Sequence, residues 1–354
     1  MQMTKKAGSS WTGYAGLCLG ILLIAYLFSQ VDIQGAMGRI SKIGISSLFI
    51  LLPYSALHLL EAFTWMKLFP KSIGPIPFFK LLKIQIITET VSMTLPAGVA
   101  VGEPLRPYLC YRFLSIPLPA GVASVAVRKL MLGVAQGIYT LLGAIAGFAL
   151  LQKASVQMLG FGGLGYIMAA TGIVVFLFFL LLLTLLLNGK AAHNLHGLLM
   201  RIPFKKIKAW LIAKESGFKD TDKELQSYRG PFTGQLFMVM LYYITAWFTL
   251  AIESYIILTL LGVQISFFQV LAIDTAITIL RAVFFFIPSG LGVQDLGYLA
   301  FFHALGIQDY LAYGGAFVLL RRFKEVLWYA AGYGVMFFSG VHLHDAESTS
   351  NRES

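Results

Sequence analysis

Charged side chains set inside apolar runs are the residues of this sequence best placed to do chemistry. Six bases, Arg128, Lys129, Arg281, Arg321, Arg322 and Lys324, and seven acids, Glu61, Glu89, Glu103, Glu253, Asp274, Asp295 and Glu325, interrupt stretches that are otherwise hydrocarbon-like. An ionised side chain at the centre of a membrane helix costs about 2.5–3.5 kcal/mol on insertion scales. These thirteen, left uncompensated, would cost on the order of 30–45 kcal/mol. They must therefore pair with one another or line a wet cavity. Pairing is available, Arg322 with Glu325 at helical spacing being one instance. Clustering favours a cavity for the set. Glu103, Arg106 and Arg128-Lys129 flank one proline–glycine break, and Asp295 and Arg321-Arg322 flank another. Arginine is the better fork for phosphate, so Arg106, Arg128, Lys129, Arg321 and Arg322 form the candidate set for binding an anionic group. Glu103 and Asp295 leave three roles open: capping their own helix, pairing with a cation, or carrying protons. Glu89 and Asp274 join them as proton-coupling candidates.

The elements that must hold these groups are helices in a bilayer. Of 354 residues, 58% are hydrophobic and 12% charged, against roughly 25% charged in soluble domains. That excludes a disordered chain, a disulfide scaffold and an ordinary cytosolic enzyme. A hydrocarbon core about 30 Å thick needs about 20 apolar helical residues per crossing. The runs Gly13–Ser29, Ile45–Phe69, Leu118–Leu151, Leu164–Leu187, Gln235–Leu261 and Tyr310–Phe338 meet that need. The first follows Lys5 and Lys6 with no small-residue cleavage site after it, and reads as an uncleaved helix. The positive-inside rule puts both termini in the cytoplasm. Lys67, Lys71, Lys80, Lys83 and the nine basic residues of 188–230 then lie inside, and only Arg39, Lys42 and Lys153 lie in outer loops. The basic excess is thus topological and does not point to nucleic acid.

Two stretches do not fit the crossing count. Ile84–Leu95 is a 12-residue apolar run ending at Pro96-Ala97-Gly98, and Leu105–Pro117 after it is equally short. Phe267–Ile287 runs into Pro288-Ser289-Gly290-Leu291-Gly292, and Leu296–Ile307 is too short to cross. Both read as re-entrant helical hairpins, although Phe267–Ile287 could span if tilted. Broken backbone at membrane depth needs protein or water around it. Pro104 suits the first turn of a new helix, whose unpaired N–H groups attract phosphate.

The two stretches also resemble each other. Phe78-Phe79 matches Phe267-Phe268 at an offset of 189, Pro96, Gly98 and Glu103 answer Pro288, Gly290 and Asp295 as the offset moves to 192 (Gly102 then faces Gln294, and Gly292 faces Ala100), and Arg128-Lys129 matches Arg321-Arg322 at 193. With the hairpins entering from opposite faces, this is an inverted-topology repeat, the plan that puts a transporter's site at the midplane. The expected fold is an all-α polytopic membrane bundle with two re-entrant hairpins. A single transmembrane domain covers 1–340, with repeats at about 77–187 and 235–340 around a basic cytoplasmic loop, 188–234, and a polar tail at 341–354.

These motifs resemble the lysylphosphatidylglycerol synthase transmembrane region, also called the flippase-like family, from about residue 15 to 340. The resemblance implies a polytopic inner-membrane protein. In the best-known members this region translocates an aminoacylated phospholipid that a separate soluble domain makes from aminoacyl-tRNA. Shorter relatives are associated with hopanoid and glycolipid pathways. Here a 16-residue polar tail follows Phe338, so the synthase chemistry is not expected. Val127 stands where an acid commonly precedes the arginine, and Gln294-Asp295 where Glu is more usual. The expected partner is a membrane lipid, anionic or aminoacylated, crossing without ATP. The alternative is an embedded enzyme or accessory subunit of phospholipid, glycolipid or hopanoid synthesis.

Other signals carry less. Gly160–Gly165 satisfies GxGxxG without a preceding strand, and small residues there suit helix packing instead. His193, His196, His342 and His344 lack the third ligand or Cys partners of a metal site, so neither metal nor cofactor is expected. His58 and Glu61 share a helix face as a candidate pair, and no nucleophile–base constellation appears.

Overall fold

A computed structural model describes residues 10–69, 73–95, 98–201, 208, 211–212, 214–229 and 233–341. Among them there is no strand. The helices run α1 Ser10–Gln30, α2 Ile33–Ile43, α3 Leu51–Met66, α4 Phe78–Thr94, α5 Gly98–Leu114, α6 Leu118–Ala146, α7 Phe148–Leu159, α8 Leu164–Leu187, α9 Ala191–Leu199, α10 Glu215–Gln226, α11 Thr233–Leu260, α12 Phe267–Val283, α13 Val293–Ala304 and α14 Tyr310–Phe338. The all-α expectation holds.

Among the described residues, four stretches are long and apolar enough to cross a membrane: Ile33–Met66, Leu118–Ala146, Leu164–Leu187 and Gly234–Leu260. The remaining apolar runs also fold as helices, α1 and α14, the latter carrying Arg321, Arg322, Lys324 and Glu325 in its middle. Two boundaries differ from the run lengths. Helix continues upstream of Ile45 through α2, which is capped by Asp32, whose carboxylate accepts from the Gly35 N–H at 2.9 Å. The run Leu118–Leu151 breaks at Gly147 because α12 crosses there: a Cβ on Gly147 would lie 2.1 Å from Ala272 Cβ, and one on Gly143 would strike Thr275. Helix α6 is central, and on another face Gly133 and Gly137 let α8 approach through Phe179 and Phe176.

Helices α4 and α5 form one antiparallel pair, α12 and α13 the other. At about 1.5 Å per residue, the 17 residues of α4 give roughly 25 Å and the 12 of α13 roughly 18 Å. The end of α5 lies near the C-terminal end of α14, and the end of α13 leads into its N-terminal end. Arg112, near the end of α5, donates to the Gly340 carbonyl at 2.8 Å. That end also gathers Tyr228, which donates to the Leu68 carbonyl at 2.6 Å. Asp309, just after α13, instead pairs with Arg39 at 3.2 Å, and the Arg39 guanidinium stacks over Tyr313. The two breaks meet in the interior, where Ser289 Oγ donates to the Met93 carbonyl at 3.3 Å.

Candidate functional site

The first break is built by close approach of its two helices. A Cβ at Gly98 would lie 2.5 Å from the Ser92 carbonyl oxygen, and one at Gly102 would lie 2.7 Å from that of Thr88. Four residues apart, these glycines present one smooth helix face to α4. Helix α5 begins at Gly98, so Pro104 and Pro107 lie inside it. The expectation that Pro104 opens the helix is corrected, because packing of α4 against the two glycines extends helical backbone upstream. Glu103 is consequently outside the first turn and caps nothing. Pro96 lies outside the described residues.

The second break is built by backbone conformation. Ser289, Gly290 and Gly292 have φ of 51°, 59° and 79°, the left-handed region that favours glycine. Ser289 adopts it under three tethers: its hydroxyl meets the Met93 carbonyl and the Tyr329 hydroxyl, and its carbonyl accepts from Gln294 Nε2 at 2.8 Å. Gly292 lies against α1, where a Cβ would come within 2.3 Å of Leu23 Cβ. Asp295, in the first turn of α13, accepts from the Gly292 N–H at 2.9 Å. The capping role left open for both acids thus falls to Asp295 alone.

Around each break the buried charges form a network. In the first, Arg106 (0% exposed) donates to Glu89 and Glu103 at 3.2 Å each and to Gln85 Oε1 at 2.5 Å. Arg128 (2% exposed) donates to Glu61 at 3.1 Å and to Gln85 Oε1 at 3.3 Å. Gln85 Nε2 donates to Glu61, and Lys129 bridges to Glu103 at 2.9 Å. The Trp65 ring packs beside both arginines. In the second, Arg321 donates to the Tyr298 hydroxyl at 2.6 Å, which donates to Asp274 at 2.7 Å. Tyr139 and Ser254 also donate to Asp274, at 2.8 and 3.2 Å. Arg322 pairs with Asp295 and Glu325, both at 2.5 Å, and Lys324 with Glu253 at 2.7 Å. The Arg322–Glu325 pair expected from spacing is present. His58 and Glu61 do not pair: His58 packs on Tyr54 and Trp328, while Glu61 serves Arg128.

Between the networks lies a cavity of about 980 Å³. Both breaks contribute to its wall, through Leu95 and Gly98 on one side and Pro288, Ser289 and Gly290 on the other. Of the candidate bases, Arg128, Lys129 and Arg321 line it, whereas Arg106 and Arg322 stand behind it in the networks. Glu89 and Glu103 also reach the wall, while Asp274 lies in a small recess beside it and Asp295 is wholly buried. A closed hydrocarbon core would have left no such volume among paired charges.

The family described as the lysylphosphatidylglycerol synthase transmembrane region matches residues 13–331. The chain belongs to that family. As a member of the lysylphosphatidylglycerol synthase transmembrane-region family it is a multi-pass membrane protein related to lipid biosynthesis or translocation. No curated protein and no solved structure gives a significant match. Several residues of the site escape attention in the sequence because they are neutral. Gln85 and Tyr298 are the hubs of the two networks, and the repeat offsets could have exposed them. The offset of 189 carries Gln85 onto Asp274, and 192 carries Arg106 onto Tyr298.

Proposed function

We propose that this chain is a lipid translocator whose substrate headgroup crosses through the 980 Å³ cavity while its acyl chains stay in the bilayer. The observation that carries the reading is that cavity, bounded by the breaks of two short helical hairpins and walled by charges that, Arg281 excepted, already have partners. A wet, prepolarised passage lowers the cost of bringing a polar headgroup to mid-membrane. The hairpins are re-entrant in this reading, α4–α5 from the cytoplasmic face and α12–α13 from outside, with both termini in the cytoplasm of an inner-membrane protein. Network correspondence supports the inverted repeat. Lys129–Glu103 answers Arg322–Asp295, and the Arg128–Gln85–Arg106 chain answers Arg321–Tyr298–Asp274 with two partners exchanged. Arg128, Lys129 and Arg321 contact the headgroup, and Arg106 and Arg322 hold the wall that positions them. Glu89 and Glu103, at the wall, are the acids a proton could reach, with Asp274 and Asp295 held behind it.

The test is leaflet accessibility of a fluorescent phospholipid in vesicles reconstituted with the purified chain. Wild type should equilibrate the leaflets. Arg128→Ala and Arg321→Ala should slow exchange about tenfold or more, the rate equivalent of about 1.4 kcal/mol. Ala282→Trp, which fills the cavity from its wall, should do the same without removing a charge. Unaltered exchange in all three variants would sink the assignment, and a strain lacking the chain that changes total lipid rather than its leaflet distribution would favour a synthetic role.

A further inference from the structure

Among the described residues, seven bases line the cavity or stand directly behind it, and six have partners. Arg106, Arg128, Lys129, Arg322 and Lys324 each meet a carboxylate, and Arg321 meets the Tyr298 hydroxyl. Arg281, on α12, makes no hydrogen bond or ion pair among the described residues, yet it lines the cavity. Its position is fixed by its aliphatic stem. A Cβ built on Gly290 would lie 2.8 Å from Arg281 Cγ and 3.1 Å from its Cδ, so the second break is where the arginine stem rests. A side chain at Gly290 would displace it.

Off the main cavity, Arg281 and Arg321 share a recess of about 10 Å³ with Asp274, Gln294 and Tyr298. That volume admits about one water or one oxygen atom. Two buried polar atoms on its lining residues are unpartnered: Arg321 Nε and Gln294 Oε1. The Asp274 carboxylate also faces this region, but its oxygens are engaged by the hydroxyls of Tyr298, Ser254 and Tyr139. Two guanidinium groups against one buried carboxylate already satisfied by three hydroxyls leave the recess electropositive, which suits an oxyanion oxygen. The converse holds for cations. Every carboxylate of the cavity wall, Glu61, Glu89, Glu103 and Glu325, is bonded to an arginine or lysine. An ammonium group would have to break an existing buried pair to find a partner, and that is costly.

Resting on the translocator reading, we infer that Arg281, with Arg321, is the specificity-determining site for a phosphoryl oxyanion, and that the preferred lipid carries a net anionic headgroup rather than a cationic, aminoacylated one. One phosphoryl oxygen enters the recess while the rest of the headgroup occupies the main cavity. Gln294 Oε1, an acceptor beside two cations, takes a water or a headgroup hydroxyl.

The experiment measures lipid binding to the purified full chain by native mass spectrometry, with phosphatidylglycerol, its lysyl ester, diacylglycerol and inorganic phosphate as separate probes. Wild type should bind phosphatidylglycerol at least about tenfold more tightly than either the lysyl ester or diacylglycerol, a margin typical of one charge-assisted contact. Arg281→Gln should remove the margin over diacylglycerol and leave diacylglycerol binding itself unchanged. Arg281→Lys should keep much of it, and Arg39→Gln, remote from the cavity, should keep all of it. Thermal unfolding of each variant separates lost binding from lost fold. Displacement of phosphatidylglycerol by millimolar inorganic phosphate, dependent on Arg281, would assign the site to free phosphate as well as lipid. Undisturbed binding would assign it to the lipid headgroup. An unchanged margin in Arg281→Gln, or a lysyl ester bound as tightly as phosphatidylglycerol, overturns the inference. Leaflet exchange by wild type is scored separately, so a chain that moves lipid without this preference refutes only the site. A chain that shows the preference but moves no lipid refutes only the translocator.

Discussion

Arg106 shows what a buried charge does in this molecule. Its side chain is fully buried among Glu89, Glu103 and Gln85, out of reach of the cavity. Replacing a buried pair by apolar residues can be neutral, but removing one partner leaves the other's charge without its counterion in a mostly buried site. Arg106→Ala should therefore lower stability by about 3–5 kcal/mol, read as the shift of equilibrium unfolding in detergent. Adding Glu89→Gln should recover part of that loss, because the stranded carboxylate is the larger share of the damage. A single-variant loss below about 1 kcal/mol, the scale of an exposed pair, would mean that the network is hydrated and structurally idle.

At the scale of elements, glycine positions decide how closely helices approach and where they break. Gly102 touches the Thr88 carbonyl and the Ser92 side chain, so Gly102→Val must push α5 off α4. Overpacking of this kind costs about 1–3 kcal/mol or more. It would also shift Glu103 relative to its partners Lys129 and Arg128 on α6. The expected outcome is a lowered unfolding temperature together with loss of Lys129–Glu103 coupling, measured by a double-mutant cycle. Gly38, which has open space around it, provides the control: Gly38→Ala should change neither. The two hairpins reach similar forms by different means, one through helix-face glycines and the other through left-handed turns. For that reason their local sequences match only loosely.

For the molecule as a whole, the decisive contact is between the hairpin tips. Ser289 meets the Met93 carbonyl across a separation of 196 residues, with the cavity beside it. With Cys18 and Cys110 replaced, Met93→Cys and Ser289→Cys should cross-link with a short bifunctional thiol reagent to near completion. A pair at opposite ends, Phe79→Cys with Phe268→Cys, should not. Failure of the tip pair to link in the native membrane would separate the hairpins and dissolve the cavity between them. The same tip cysteines should react with water-soluble thiol reagents if the cavity is wet, whereas Leu177→Cys, on the exposed face of α8, should not.

Composition and run length alone made this an all-helical membrane protein, because about 20 apolar residues admit few other fates in a bilayer. The proline–glycine breaks and their clustered charges were equally legible, since each violates the local pattern and must be compensated. Spacing along one helix even foretold Arg322–Glu325. Partners on different helices were not legible. Glu61 with Arg128, Glu253 with Lys324, and the neutral hubs Gln85 and Tyr298 are joined only by packing, across separations of 21 to 71 residues. Nor could the sequence distinguish Arg281 from its six paired neighbours. Whether a cation is neutralised depends on which carboxylates lie within a few ångströms, and only the tertiary arrangement of α12 against α14 and Gly290 leaves this one without a partner.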